Sequence, residues 1–324
     1  MKTLFHAGVY VLFLFALIAL VLFISQPEAM AYNNQIDISL SGVGGERTEP
    51  LEKFDSSFST FGLSYTRYFK SLESGASPHA LREFLQHPSR AHACLVAEGY
   101  RLEAQTRVYS DETGLGSFVL GGMYYLDKAN STGFGLSLRS QSGKREEKDS
   151  NTLLTKENFS GGGLDLMIYQ YIGGNVRLEL ELSSKSFRSE DDAGVIIGEY
   201  KQGMTSLGAS AVLGNVWLSG HLAGGNRDWK YSLREQDVGH IDLSFGYYFN
   251  RQWGLLVGMT GDSFEEGVLE ESTGTFSIGG DYYFNDKMHL TVSLESRKVT
   301  ETRPGLEVET KMSGIGLALG VLFQ

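Results

Sequence analysis

From Tyr32 almost to its last residue, the chain alternates apolar and polar side chains with a period of two. Successive side chains of a strand point to opposite faces, so such a pattern buries one face and wets the other; on a helix it would scatter apolar residues all round. Val176, Leu178, Leu180 and Leu182 fall on one face, and Arg177, Glu179, Glu181, Ser183 and Lys185 on the other. Met288, Leu290, Val292 and Leu294 alternate with His289, Thr291, Ser293 and Glu295. Ile315, Leu317, Leu319, Val321 and Phe323 alternate with Gly314, Gly316, Ala318 and Gly320. Fourteen such segments are expected, with twelve to sixteen as the range. Their centres lie at Ile38, Leu63, Leu102, Leu120, Leu136, Leu166, Leu180, Ala209, Leu218, Leu243, Val257, Ile278, Val292 and Leu317.

A soluble sandwich also alternates. Three features favour a transmembrane antiparallel up-and-down β-barrel instead. The segments run to roughly ten residues or more, against about five or six in soluble sheets. The polar faces carry charge and glycine, as suits a wet lumen; the chain holds 40 Gly and only 5 Pro. Short turns such as Gly173-Gly174-Asn175, Gly214-Asn215 and Asn285-Asp286-Lys287 alternate with longer, charged connections. Barrels of the outer membrane have short periplasmic turns and longer external loops, and an even strand count puts both termini in the periplasm.

The first 31 residues read as a cleaved signal peptide, leaving a barrel over 32–324. Lys2 and His6 precede an apolar run from Ala7 to Ile24, and Ala29-Met30-Ala31 supplies the small-x-small site. Aromatic residues recur just before the short turns: Tyr124 and Tyr125, Tyr169 and Tyr171, Tyr247 and Phe249, Tyr282 and Phe284, with Tyr68 and Phe69 placed equivalently. Together with Phe323 they are expected to form an aromatic girdle at the periplasmic interface, where ring and hydroxyl are both satisfied.

The signal, the paired hairpins, the aromatic-then-turn repeat and the final Leu322-Phe323-Gln324 resemble bacterial outer-membrane β-barrels, and length and strand count are most similar to monomeric fourteen-strand porins. That resemblance implies outer-membrane lipid and lipopolysaccharide as surroundings. It also implies recognition by the barrel-assembly machinery, although the aromatic residue is penultimate here rather than last.

One segment departs from the repeat. Residues 71–90 stand where a short turn is expected. Ser77-Pro78 reads as an N-cap and first helical position, and Leu81, Phe84 and Leu85 form a stripe at helical spacing. His87-Pro88 ends it. A periplasmic helix of about two turns is expected. It would pack over the rim, with a partial plug or a docking site for a periplasmic partner as the other readings.

Composition narrows function further. Lys+Arg total 28 against 39 Asp+Glu, a net charge of −11, which argues against nucleic acid as a partner. A single Cys excludes a disulfide framework. No phosphate-binding glycine loop, zinc-protease motif or nucleophile elbow occurs, so no enzyme activity and no cofactor are expected. His221, His240 and His289 fall at different depths, so no metal site is expected either. His240 and Asp242 sit two apart on one strand, roughly 6–7 Å, which is poor for a dyad; Asp262 lies near the same level on the next strand.

The expected pore-lining bases are Arg101, Arg107, Arg139, Arg177, Lys185 and Arg297. The expected acids are Asp37, Glu103, Asp165, Glu179, Glu181, Asp242, Asp262, Asp281 and Glu295. Fourteen strands tilted by about 40° enclose a lumen of about 10–15 Å after side chains are counted. The leading expectation is therefore a porin-like channel for ions or small hydrophilic solutes. A closed structural or partner-binding barrel is the alternative, and a rim-site enzyme is weaker. A hydrophobic-ligand transporter is also weaker, because that kind has a long N-terminal plug and only Tyr32 to Gln35 precede the first expected strand.

Overall fold

A computed structural model describes residues 32–50, 52–72, 78–126, 132–150, 152–230, 235–266 and 269–323. The expected signal segment and Ser77 lie outside them. Fourteen antiparallel strands run in chain order: β1 (Tyr32–Thr48), β2 (Lys53–Leu72), β3 (Arg90–Ala104), β4 (Tyr109–Tyr125) and β5 (Thr132–Asp149). Next come β6 (Thr152–Ile172), β7 (Val176–Asp191), β8 (Ile196–Leu213), β9 (Val216–Trp229) and β10 (Glu235–Tyr248). The last four are β11 (Trp253–Glu266), β12 (Leu269–Asn285), β13 (Met288–Arg303) and β14 (Leu306–Phe323). Each strand pairs with its neighbours in sequence, and β1 pairs with β14 from Asn34↔Phe323 to Thr48↔Glu309, closing the barrel. Every expected segment centre lies inside one of these strands.

Register fixes the faces. Leu95, Phe118, Leu136, Leu166, Leu182, Leu218, Leu243 and Leu317 point outward and are exposed, a continuous band that suits lipid. The partners that alternate with them face the lumen. On β12–β14, β1 and β2 the lumenal face carries a run of small residues at mid-height, among them Ser277, Gly279, Ser293, Gly316, Ala318, Ser39, Ser41 and Gly62. Larger groups such as Asp37, Tyr68, Asp281, Glu295 and Arg297 share that face, with Arg297 lying over Phe58.

The longer charged loops are a correction. At the rim away from the termini the connections are residues 49–52, 105–108, 150–151, 192–195, 230–234, 267–268 and 304–305, none longer than five residues. The charged stretches belong to strand ends instead: Lys144, Arg145, Glu146, Glu147 and Lys148 all lie within β5. At roughly 3.4 Å per residue and a tilt of about 40°, a seventeen-residue strand such as β4 rises about 44 Å, well beyond an apolar band of about 25 Å. The barrel wall carries the charge above the membrane, and the turns have little left to do.

Leu180 faces outward and Glu181 faces the lumen. Leu180→Arg is expected to cost about 2–4 kcal/mol of folding free energy, because a cation would sit in hydrocarbon, whereas Glu181→Arg stays in the wet interior. Urea titration of vesicle-inserted protein should show a clear loss for the first variant and a small change for the second; equal losses would reverse the face assignment.

Candidate functional site

Residues 78–89 of the long connection between β2 and β3 lie in the barrel mouth at the rim of the termini. Its helix begins with a 3-10 turn, His79–Leu81, and continues as α1, Arg82–Gln86. His87 adopts a left-handed φ of 46° and its N–H caps Glu83 O at 3.2 Å, and Pro88 follows, so the helix stops there. Leu81 is 3% exposed and packs with Val212 of β8 and Tyr248 of β10. Ala80, Phe84, Leu85, Trp217 and Leu256 complete that apolar layer. On the opposite flank Phe84 meets the edge of Tyr171 at 5.3 Å, and His87 stacks on Tyr171 at 3.4 Å between ring centroids. Arg177 lies over the Phe84 ring.

Polar contacts complete the seat. Tyr68 of β2 is 2% exposed, and its hydroxyl lies 2.8 Å from Gln35 Oε1 and 2.9 Å from Glu83 Oε2. Arg90 pairs with Glu83. Arg82 reaches the β12–β13 turn, with Nη1 3.3 Å from Asp286 O and Nη2 3.3 Å from its carboxylate. The helix thus touches the wall from β2 round to the β12–β13 turn. The expected packing over the rim is corrected: all three stripe residues are inside the mouth, because only the lumenal face there offers them apolar partners.

Beyond this floor lies a cavity of about 650 Å³ against the inner faces of β5 and β7–β11. Its lower side chains are largely paired. Glu179 lies 3.2 Å from Arg177 and bonds His221; His240 Nδ1 lies 2.8 Å from Asp262 Oδ1. Asp165, 6% exposed, accepts from Ser183 Oγ at 2.6 Å and lies 4.0 Å from Arg139. Toward the far rim the wall becomes aromatic. Phe159 and Phe187 are 5.4 Å apart, Phe187 stacks on Tyr200 at 5.2 Å, and Tyr200 meets Trp229 at 4.9 Å. Gly198 sits beneath that last ring, where an added Cβ would come within 3.3 Å of it. Arg227 lies over Tyr200 at 4.4 Å and Phe264 at 4.7 Å.

The predicted residues divide accordingly. Asp37, Arg139, Asp165, Arg177, Glu179, Glu181, Lys185, Asp242, Asp262, Asp281, Glu295 and Arg297 have lumenal register. Arg101 and Glu103 do not: they share the outward parity of Leu95 and pair with each other near the far rim, Arg101 also reaching Glu112. Arg107 lies in the β3–β4 connection, bridging Glu52 and Asp149. Both corrections have one cause, a strand that ends at Ala104 with its last residues above the membrane.

The girdle is corrected too. Phe69, Tyr124, Tyr247, Phe249, Tyr282, Phe284 and Phe323 lie on the outer face, where Tyr282 contacts Trp253 at 4.3 Å and Phe323 contacts Tyr65 at 6.4 Å. Tyr68, Tyr125, Tyr169 and Tyr171 point inward, one residue out of phase with the lipid face, and three of them touch the insert. Arg227 and the Phe159–Trp229 arc were not singled out from sequence. The outward parity of Leu218 and Leu222 puts Arg227 inside, but glycines at 220, 224 and 225 blur that segment. His240 finds its carboxylate across the strand pair, not along its own strand. Among the described residues no group of three or more side chains could hold a metal ion.

No protein-family model and no curated protein matches this sequence. Solved structures do. The Pseudomonas putida toluene transporter TodX aligns at 11% identity with a TM-score of 0.55, over 92% of this chain and 91% of that one. The Ralstonia pickettii toluene transporter TbuX aligns at 9% identity and 0.53, over 91% and 90%. A Pseudomonas aeruginosa FadL homologue aligns at 8% identity and 0.53, over 91% of each chain. At such identities the likeness concerns the fold: this chain has the architecture of a bacterial outer-membrane β-barrel.

Leu81→Ala removes the side chain most deeply seated in the floor. A buried Leu→Ala costs about 2–5 kcal/mol, here mainly from docking of the insert rather than from the wall. Amide exchange at residues 82–87 is expected to quicken by about tenfold or more, while exchange in β7 and β8 stays unchanged. Uniform quickening throughout the barrel would mean that the helix is part of the wall's own stability.

Proposed function

We propose that the chain is an outer-membrane channel that takes small organic molecules into its lumen from the cell exterior and releases them past the insert helix into the periplasm. In this reading residues 1–31 are removed after Ala31, both termini and the insert face the periplasm, and the far rim faces out. The observation that carries it is a strand-lined chamber with one short insert seated in the mouth at the rim of the termini. The chamber walls are strands locked by continuous ladders, whereas among the described residues the floor meets the wall through side-chain contacts and the bond of Phe69 N–H to Ser89 O. A floor of that kind is the part that can move. Displacing it joins the chamber to the periplasmic side without opening a single strand pair.

A permanently open pore for ions, expected from strand number alone, fits less well, because the insert occupies the path that ions would take. The structural relatives named as toluene transporters support organic solutes over ions. An insert seated in the mouth from the β2–β3 connection is compatible with that class.

Vesicles carrying the purified protein separate the readings. The intact protein is expected to show low ion conductance. Deleting residues 73–87 and joining Leu72 to Pro88 through a short turn should raise conductance at least tenfold. A deletion variant that folds and stays silent would leave a closed barrel, and the channel reading would fall.

A further inference from the structure

We infer that the upper chamber is a binding site for aromatic carboxylates, a benzoate-like anion whose ring lies on the Phe187–Tyr200–Trp229 arc and whose carboxylate meets Arg227 and Lys185. This rests on the channel reading and names the substrate class that the chamber selects.

Three observations converge. The first is the arc itself. Four aromatic rings stand on the lumenal face of consecutive strands β6–β9, each within 5.4 Å of the next. An inward aromatic wall above a polar chamber is not needed to hold a barrel closed, since the strand ladders do that. Flat rings bind other rings by offset or edge contact, worth about 0.5–1.5 kcal/mol per pair beyond area burial.

The second is unspent positive charge. Deeper in the lumen Glu179 and Asp262 have cationic or imidazole partners, while Glu181 has no cation within 4.0 Å among the described residues. In the upper chamber, among the described residues, no carboxylate lies within 4.0 Å of Arg227 or Lys185, although both line the cavity. Arg227 is held in place by neutral groups: Nε and Nη2 donate to Gln202 Oε1 at 3.1 and 3.0 Å, and Nη1 donates to Gln236 Oε1 at 3.4 Å. A guanidinium has five N–H donors, so one remains on each terminal nitrogen. That is the pair a carboxylate takes in a two-pronged contact. Arg227 also lies over the rings of Tyr200 and Phe264, at 4.4 and 4.7 Å, which restricts its direction before any ligand arrives.

The third is a donor without an acceptor. Trp229 Nε1–H is buried and has no hydrogen-bond partner among the described residues. Leaving a buried donor unmade is costly, about 1–3 kcal/mol. Tyr200 is the residue of the arc that lines the cavity, so under this inference the ligand enters beside Tyr200 and its carboxylate draws the Trp229 donor toward it. A plain hydrocarbon would use only the arc, and an inorganic anion only the cations. A molecule with both a ring and a carboxylate uses every feature.

Calorimetric titration of the full-length barrel in detergent micelles tests this without requiring any flux, so that failure of the channel reading leaves the measurement intact. Sodium benzoate is expected to bind at least tenfold more tightly than acetate, benzylamine or toluene. Arg227→Gln and Lys185→Met should each weaken benzoate about tenfold and leave toluene unchanged; Phe187→Ala should weaken benzoate and toluene together. The heat-dependent shift in gel mobility shows that each variant is folded, and Lys185→Met serves if Arg227→Gln fails to assemble. Benzoate binding no tighter than benzylamine, or binding that survives both cation replacements in folded protein, would overturn the assignment. Equal affinity for toluene and benzoate would reduce the site to an apolar arc and overturn it equally. A barrel that binds benzoate as expected yet passes no solute would sink the channel and spare the site.

Discussion

The pairing of β1 with β14 is the contact on which everything else depends. Hydrocarbon offers no hydrogen bonds, so a strand edge left open within a bilayer would leave a row of N–H and C=O groups unmade, at several kcal/mol each. Closure from Asn34↔Phe323 to Thr48↔Glu309 removes that edge. Once the ring is closed the side chains have only two destinations, lipid or lumen, and period-two alternation follows from geometry. The outward leucines and the inward charges are two consequences of one ladder.

Closure also explains why the lumen can be so polar. Neither wall nor register needs an apolar core, so the interior is free to hold groups that a soluble domain of this size would exclude. Asp165 and Asp281 are each 6% exposed, yet both keep hydroxyl partners, Ser183 and Thr291. The run of small lumenal residues on β12–β14, β1 and β2, among them Ser277, Gly279, Ser293 and Gly316, leaves space opposite the β5 and β7–β11 side chains that line the chamber.

Strand number, strand centres and the barrel were legible because a period of two, sustained along a whole chain, has few other solutions. Faces were legible wherever leucine marked one of them, as on β7, where Leu180 and Glu181 need no further context. They failed at Arg101 and Glu103, where the lipid-facing leucine stops and charge occurs on both faces. The aromatic pairs show the same limit. Tyr124 and Tyr125 are adjacent, so they must face opposite ways, and composition alone could not say that Tyr125 turns inward to His87. The helix was legible from Leu81, Phe84 and Leu85, but its docking surface was not. Val212, Trp217, Tyr248 and Tyr171 come from four strands more than eighty residues downstream, and only the closed ring brings them to one mouth. The aromatic arc was hidden for the same reason, being spread over Phe159, Phe187, Tyr200 and Trp229, one ring per strand.

That the insert is a connection between two strands has a physical consequence. A terminal plug can leave the lumen altogether; a segment tied to β2 and to β3 cannot. Burial of Leu81, Phe84 and Leu85 holds the insert in its seat against the conformational entropy of ordering it, helped by the contacts of Arg82 with Asp286, of Glu83 with Arg90 and Tyr68, and of His87 with Tyr171. Under the channel reading, a ligand that binds the undocked form better shifts that balance. Both tethers hold the undocked insert beside its seat, so return requires no search, and the barrel wall, with its ladders intact, is unchanged by either state.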